Sequence, residues 1–369
     1  MGTIKRRTFL TGATGLAASA AAAALPAPAI GQGLREFSMV TTWPTDFPGL
    51  GTGANRLAHR IAEASGGRFT LTVHGGGELV PALESFTAVA NGAADFYHGT
   101  ESYWQGRSKA FHFFSGIPFG MTAAETNGWI AHGGGQGLWD ELSAAFNIKP
   151  FLVGNIGGQL GGWFKTPVAS LDDLKGRRVR MTGLGAEILR AVGADAVALP
   201  GGRIVAALND GTIDAAEWAG PWLDLAAGLY AAAPYYTYPG FHEPGMALSV
   251  GMRRDIWDAM PAADQALIGA AMAAENSIAT AEFEARNAAA LATLTSRHGV
   301  ELARLPNEVL NAIGVAAGDV VFDAGNSDGF ARRVYESYIA HRHTAIGWSK
   351  VSTQAYLAAR GLPFRYEKS

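Results

Sequence analysis

The side chains best suited to bind a small charged molecule follow two short segments in the middle of the chain. Arg180 stands near the end of a predicted strand at residues 177–181 and precedes the flexible sequence Thr182-Gly183-Leu184-Gly185. A guanidinium is a rigid planar donor that can pair with a carboxylate through two hydrogen bonds. Arg180 therefore predicts a site for an organic acid, and the alternative is a surface charge like its neighbour Arg177.

A second predicted strand, at residues 214–218, delivers Glu217 and Trp218 before it stops at Gly220-Pro221, and the aromatic stretch 235–243 ends on Glu243. Ligands of open α/β sheets bind beyond the carboxyl ends of the strands. Two carboxylates would repel an acid bound beside them, and a hard cation with oxygen ligands would remove that conflict. Protonation of one glutamate is the other solution, and either glutamate could instead face solvent or pair with an arginine elsewhere.

The elements that must position these residues alternate between strand and helix. Residues 37–41 and 69–73 alternate as strands, and a helical pattern over 54–64 lies between them. A second helix is predicted from Pro81 to Asn91-Gly92. This alternation predicts an α/β fold with a largely parallel sheet.

The same plan recurs later in the chain. The sequence Asn91-Gly92-Ala93-Ala94-Asp95 is matched by Asp210-Gly211-Thr212-Ile213-Asp214, and in both a glycine ends a helix before a short apolar strand. We interpret this as two lobes of one design. We predict a first α/β lobe at 32–155, a second at 156–250, and a helical region at 251–369 that braces both. Residues 262–297 contain no proline and predict one long helix or two consecutive ones.

The amino terminus is predicted to be an export signal rather than part of the fold. Lys5-Arg6-Arg7-Thr8-Phe9-Leu10 is a twin-arginine pattern, an Ala/Gly-rich run follows, and Ala27-Pro28-Ala29 is a cleavage site of small residues. We assign residues 1–31 to this signal and expect a periplasmic protein. The chain has no cysteine, which excludes disulfides and thiolate chemistry. Its formal charge of −3, without a basic run, argues against nucleic-acid binding.

Several stretches, in order along nearly the whole chain after the signal, resemble one family. They are GGELVPALE at 76–84, HGGG at 132–135, GGQLGGWF at 157–164, KGRRVRMTG at 175–183, DAAEWAGPW at 214–222 and APYYTYPGFHEPG at 233–245. The chain resembles the solute-binding subunits of tripartite ATP-independent periplasmic (TRAP) transporters, and most resembles the subgroup that binds 2-oxo acids such as pyruvate.

This resemblance implies two lobes with the ligand in the cleft, delivery to TRAP membrane subunits, and specific site residues. Arg180 matches the arginine that clamps the ligand carboxylate. The ligands of a bridging cation, Na⁺ or Ca²⁺, match Gln159, Glu217, Glu243 and the backbone carbonyl of Trp218. We expect the acid to contact Arg180, Gln159, Trp218, Tyr103 and Phe241. Members of the subgroup can dimerise by exchanging a carboxyl-terminal helix, which here carries Tyr335, Tyr338, Trp348 and Tyr356.

Two other readings of the sequence stay open at this point. HGGG and the sequence Ala247-Leu248-Ser249-Val250-Gly251 resemble parts of a hydrolase, but Ser249 lies in a predicted strand instead of opening a helix. The absence of cysteine and of metal-spaced histidines argues against an oxidoreductase. We therefore predict a binder without enzymatic activity. A 2-hydroxy acid such as lactate, or a dicarboxylate, would offer Arg180 the same carboxylate.

Overall fold

The structure is a computed structural model that describes residues 33–365. The predicted twin-arginine signal lies outside the described residues. Within the described range, no helix is long and apolar enough to cross a membrane.

Eleven strands form in the described range, and most of them contain buried residues. They are β1 (Arg35–Thr41), β2 (Phe69–His74), β3 (Phe96–Gly99), β4 (Ile148–Asn155), β5 (Gly162–Phe164), β6 (Arg178–Arg180), β7 (Asp195–Val197), β8 (Ala215–Ala216), β9 (Tyr235–Tyr238), β10 (Ala247–Arg253) and β11 (Glu301–Arg304). The predicted strands at 37–41, 69–73, 177–181 and 214–218 are confirmed within a residue or two.

The helices of the described range connect and cover these strands. They are α1 (Gly51–Ala64), α2 (Ser85–Ala90), α3 (Ala123–His132), α4 (Gly135–Ala144), α5 (Gly183–Ala191), α6 (Ile204–Asn209), α7 (Pro221–Ala227), α8 (Arg254–Asp258), α9 (Ala262–Arg297), α10 (Asn307–Gly325), α11 (Gly329–Val351) and α12 (Thr353–Arg360). Short 3₁₀ segments lie at Ala82–Glu84, Glu101–Trp104, Lys109–Phe114, Leu171–Leu174, Gly201–Arg203 and Leu229–Ala231.

The strands form two sheets, one in each lobe. The first has the order β2-β1-β3-β10-β4 and the second the order β11-β9-β5-β8-β6-β7. In the first, β1 is parallel to β2 and β3, whereas β10 is antiparallel to β3 and β4. In the second, β5 is antiparallel to β8 and β9, and the other pairs are parallel. Both sheets are therefore mixed rather than largely parallel as predicted, whereas the predicted two-lobed α/β architecture is confirmed. Gly92 and Gly211 both have a positive φ, of 79° and 77°, as the repeated helix stop requires.

Two predicted boundaries need correction. Strand β10 was placed mostly in the second lobe, but it lies between β3 and β4 in the first sheet, where all but one of its residues are buried. Strand β11 falls in the region predicted to be helical and adds to the edge of the second sheet beside β9. The chain therefore crosses between the lobes more often than a division into consecutive segments allows.

The long helices join the two lobes. Helix α9 places Phe283 in a core of the first lobe and Leu294 in a core of the second lobe. Helix α10 does the same with Ile313 in the second lobe and Val321 in the first. A single 36-residue α9 confirms the long helix predicted at 262–297. Each helix therefore buries apolar side chains against both lobes, as the predicted bracing role would require.

Candidate functional site

A cavity lies between the lobes and is lined by residues of both. The first lobe contributes Trp43 and Tyr103, and the second contributes Arg180, Glu217 and Trp218. The remaining lining residues are Leu50, Ser102, Gln105, His112, Gly116, Pro118, Thr182, Gly183, Leu184, Gly185, Ala219, Leu223, His242, Glu243 and Met246. The cavity offers a volume of about 60 Å³ to the centres of water-sized molecules. At roughly 10–15 Å³ per water this is room for a compact ligand of a few heavy atoms.

Arg180 is held at the cavity wall by the second sheet. Strand β6 lies between β7 and β8, and Arg180 pairs with Ala216 of β8. Glu217 directly follows Ala216 in the chain and therefore lies beside Arg180. The Nε atom donates to the carbonyl of Leu199 at 3.0 Å. Nη1 donates to the Glu217 carbonyl and, at 3.1 Å, to Glu217 Oε2. Nη2 donates no hydrogen bond within the described residues, and one prong of the guanidinium is thus left for a ligand.

The amino-terminal end of α5 lies beside this arginine. Thr182 is the N-cap, and its side chain makes no cap hydrogen bond to the helix. The backbone N–H groups of the first helical turn carry the positive end of the helix dipole and readily bind an anion. Thr182, Gly183, Leu184 and Gly185 all line the cavity, so this helix end and Arg180 present positive charge to the same space.

Glu217 is a buried carboxylate held by Arg180 and His242. Its Oε2 accepts from Arg180, and its Oε1 lies 3.3 Å from His242 Nε2. Burial alone would raise the pKa of Glu217, but attraction to His242 and Arg180 lowers the pKa below its ordinary value. Burial alone would likewise lower the pKa of His242, but the negative charge of Glu217 raises it. The Glu217 carboxylate is therefore ionised in this arrangement.

Glu243 is the less compensated of the two carboxylates. Its Oε2 accepts a hydrogen bond of 2.6 Å from Gln159 Nε2, and its Oε1 accepts none within the described residues. Burial raises the pKa of Glu243 to about 7, although nearby His242 opposes that shift. The half-buried carboxylate of Glu243 therefore lacks a full partner, as expected of a group that is completed by a bound cation.

The oxygen atoms gathered here suit a hard cation. The carboxylates of Glu217 and Glu243 and the amide of Gln159 are oxygen donors of the kind that Na⁺ and Ca²⁺ prefer. The Trp218 carbonyl accepts no backbone hydrogen bond among the described residues. The described residues contain no group of three or more His, Cys, Asp or Glu side chains that could hold a metal. A cation here would thus need the amide and backbone oxygens as well as the carboxylates.

Aromatic rings close the cavity from both sides. Trp43 lies 6.3 Å from Tyr103 between ring centroids, in a tilted arrangement within the first lobe. Phe47 of the same lobe packs edge-on against Trp218 of the second lobe at 5.3 Å. Aromatic surfaces of this kind exclude water from the space between the lobes, which strengthens the electrostatic interactions inside it.

Five of the predicted site residues line one cavity: Arg180, Glu217, Trp218, Tyr103 and Glu243. Gln159 does not line it but lies directly behind, in contact with Glu243 and His242. The placement of Phe241 in the ligand pocket is not supported. Phe241 is 3% exposed and stacks on Phe119 at 6.2 Å within a core of the second lobe.

The sequence analysis missed His242, His112 and the α5 terminus as parts of the site. His242 could have been found, because it directly precedes Glu243. His112 sits in the 3₁₀ segment Lys109–Phe114 and reaches the cavity only through the packing of that segment. No local pattern in the sequence signals this position.

Comparison with known proteins identifies what this architecture is similar to. A family model described as "Bacterial extracellular solute-binding protein, family 7" (DctP) matches residues 39–324. A monocarboxylate 2-oxoacid-binding periplasmic protein of Nostoc sp. is 34% identical over 318 residues, which are 86% of this chain and 87% of that protein.

Solved structures of TRAP transporter solute-binding proteins share the fold. One from Bordetella bronchiseptica, a mixed-occupancy dimer with copurified calcium and picolinate, has a TM-score of 0.85 and 31% identity and covers 89% of this chain and 97% of its own. One from Pseudoalteromonas atlantica with bound sodium and pyruvate has a TM-score of 0.84 and 32% identity, with coverages of 89% and 99%.

Proposed function

Because the chain belongs to family 7 of the bacterial extracellular solute-binding proteins, we propose that it captures a small monocarboxylic 2-oxo acid, such as pyruvate, together with Na⁺ or Ca²⁺. The acid would then be delivered to the membrane subunits of a TRAP transporter. One observation carries this proposal: a free prong of Arg180 shares a cavity with two carboxylates, the buried Glu217 and the half-buried, poorly compensated Glu243.

Arg180 and the amino-terminal end of α5 bind the carboxylate of the acid. Nη2 is already free, whereas both hydrogens of Nη1 point to Glu217. A two-pronged clamp therefore requires Nη1 to leave the Glu217 carboxylate and turn to the ligand. The aromatic rings of Trp43, Tyr103 and Trp218 then enclose the rest of the acid.

A bound cation would supply the positive charge that lets an acid and two glutamates share one space. Glu217, Glu243, Gln159 and the Trp218 carbonyl would hold it. The four groups come from three separate chain segments, and Gln159 is oriented by its hydrogen bonds to Glu243 and His242. The proximity of these oxygen donors supports the proposal of a cation site behind the acid site.

The small cavity favours a three-carbon or similarly compact acid. A 2-hydroxy acid such as lactate offers the same carboxylate and a neighbouring oxygen, so a ligand panel must include it. A dicarboxylate would add another negative charge beside Glu217 and Glu243, and this makes it the weaker candidate.

The site supports binding without turnover. Ser249, the residue of the hydrolase-like sequence, is fully buried in β10, and its Oγ lies 3.3 Å from the Gly99 carbonyl. Such a hydroxyl is not presented at a helix start as a nucleophile elbow requires. A chromogenic ester assay on the protein and on Ser249→Ala tests this point, and ester cleavage lost with the substitution would contradict it.

We further propose export by the twin-arginine signal and assembly as a homodimer. Tyr335 and Tyr338 are not available for that dimer, because Tyr338 is buried and both rings pack on Phe113. The later part of the tail offers apolar side chains that are at least 45% exposed: Trp348, Val351, Tyr356, Leu357 and Leu362. Exposed apolar side chains on α11, on α12 and directly after α12 suit burial against a second copy.

A thermal-shift panel of small acids, with and without Na⁺ or Ca²⁺, tests the proposed function. Pyruvate at 100 times its dissociation constant should stabilise the protein by about 2.7 kcal/mol. The shift should be larger when the cation is present. Shifts with sugars or amino acids, and none with any 2-oxo or 2-hydroxy acid, would refute the assignment.

A further inference from the structure

His112 is a polar side chain placed where the first lobe meets the ligand cavity. It belongs to the 3₁₀ segment Lys109–Phe114, between Phe111 and Phe113, which are both buried in a core of the first lobe. His112 is 1% exposed and lines the cavity. The only hydrogen bond of its side chain among the described residues joins Nε2 and Gln105 Oε1 at 3.1 Å. Nδ1 therefore has no hydrogen-bond partner within the described part of the chain.

The segment that carries His112 lies along the first turns of α5. Leu184, in the first turn of that helix, packs into a core of the first lobe. Lys109 Nζ lies 3.6 Å from Glu187 Oε1, about one turn further along α5. The imidazole Cε1 and Nδ1 lie 3.6 Å and 4.0 Å from the point that a Cβ on Gly183 would occupy. His112 thus faces the amino-terminal end of α5 from the opposite lobe.

We infer that His112 binds the carboxylate of the acid from the first lobe, through a hydrogen bond donated by Nδ1. This inference rests on the proposed function, in which Arg180 and the amino-terminal end of α5 hold the same carboxylate from the second lobe. Arg180 and Gly183 are three positions apart, and both line the cavity with His112. The cavity is small, so a compact acid seated on the α5 terminus lies within reach of the imidazole that faces this terminus.

Gln105 allows Nδ1 to carry the hydrogen that this bond needs. Burial, with a smaller contribution from the positive charge of Lys109, lowers the pKa of His112 to about 4, so the imidazole is neutral at neutral pH and holds one hydrogen. The Gln105 amide makes no other hydrogen bond to the described residues. It can therefore turn and donate to His112 Nε2 without losing a bond, which places the hydrogen on Nδ1. A second proton drawn onto the ring by the bound acid would leave Nδ1 a donor as well.

The alternative role for His112 is to support the packing between the lobes. A packing residue needs the volume of the ring and its bond to Gln105, but it needs no donor at Nδ1. A ligand-binding residue needs that donor, whereas the atom at the position of Nε2 matters less. The two roles therefore predict different outcomes for side chains that keep a polar group at only one of the two positions.

Two substitutions make this separation. His112→Asn keeps an amide at the position of Nδ1, and His112→Gln keeps one near the position of Nε2. Calorimetric titration of pyruvate in excess Ca²⁺ should show at least tenfold weaker binding for His112→Gln, equivalent to 1.4 kcal/mol. His112→Asn should stay within threefold of the wild type. Circular dichroism melting checks that each variant is folded. Wild-type affinity in folded His112→Gln, or an equal loss in both folded variants, would overturn the inference.

A second measurement uses the unaltered protein. In protein labelled with ¹⁵N-histidine, the ring resonances of His112 are assigned as those missing from His112→Asn. In the protein saturated with pyruvate and Ca²⁺, these resonances should show a hydrogen on Nδ1, and a bare Nδ1 would contradict the proposed bond. If the wild type binds no 2-oxo or 2-hydroxy acid, the proposed function fails and this inference fails with it. Tight binding by the wild type and His112→Gln alike refutes only the role of His112.

Discussion

Replacement of Arg180 by lysine isolates the geometry of the clamp from its charge. Lysine keeps the positive charge but loses the planar fork of donors. In the structure the guanidinium uses Nε on Leu199 and Nη1 on Glu217, which leaves Nη2 for the acid. These three contacts need donors that spread out within one plane at fixed spacing. A lysine ammonium group lacks that geometry and cannot make all three.

The magnitude follows from the bonds that are lost. One hydrogen bond to a charged group contributes about 1.5–3 kcal/mol. Loss of the Nη2 donor should therefore weaken acid binding by at least tenfold and up to roughly a hundredfold. Because Arg180 is 7% exposed and also holds Leu199, the ligand-free protein should lose about 1–3 kcal/mol of unfolding free energy.

Titration calorimetry of pyruvate with saturating cation measures the first effect, and urea unfolding of the ligand-free protein measures the second. Arg178→Lys is the matched control, because Arg178 lies on the same strand, pairs with Asp214 and does not line the cavity. It should leave acid affinity unchanged. Wild-type affinity in folded Arg180→Lys would show that the guanidinium geometry does not hold the acid.

Three further predictions concern the cation, pH and assembly. Glu243→Gln should bind Ca²⁺ at least tenfold more weakly in calorimetry, since it removes a carboxylate ligand; undiminished binding would exclude Glu243 from the cation site. Burial raises the pKa of Glu101, whose Oε1 accepts from Tyr97, to about 7, so the protonated form is favoured in the folded state. Its stabilising contribution is present below the ordinary pKa near 4.5 and is lost as pH rises through 7. Between pH 4.5 and 7, the wild type should therefore lose up to about 3 kcal/mol of unfolding free energy, measured by urea unfolding, whereas Glu101→Gln should not. Equal pH profiles of the two proteins would contradict this. Trp348→Ser should shift light scattering of the protein from dimer toward monomer, whereas a wild type that is monomeric at high micromolar concentration would refute the homodimer.

Local sequence patterns determined the elements and several of the site residues. Residues 262–297 form one helix because no proline interrupts their helix-forming sequence, as predicted. Gly92 and Gly211 end helices because the closing turn requires a left-handed backbone conformation, which glycine adopts without steric cost. The position of Arg180 at a strand end follows from its neighbours in the sequence, and the fold then carries it to a cavity wall.

Only the tertiary structure decided which strands and side chains meet. The sequence of strand β10 is mostly apolar and suits either sheet, so its place between β3 and β4 depends on long-range pairing. Phe241 and His242 are adjacent in the sequence, yet Phe241 packs into a core and His242 reaches the cavity, because their side chains leave the backbone in different directions. The contact of His242 with Gln159 joins residues 83 positions apart. Such pairings arise from the packing of distant segments, and no local sequence period encodes them.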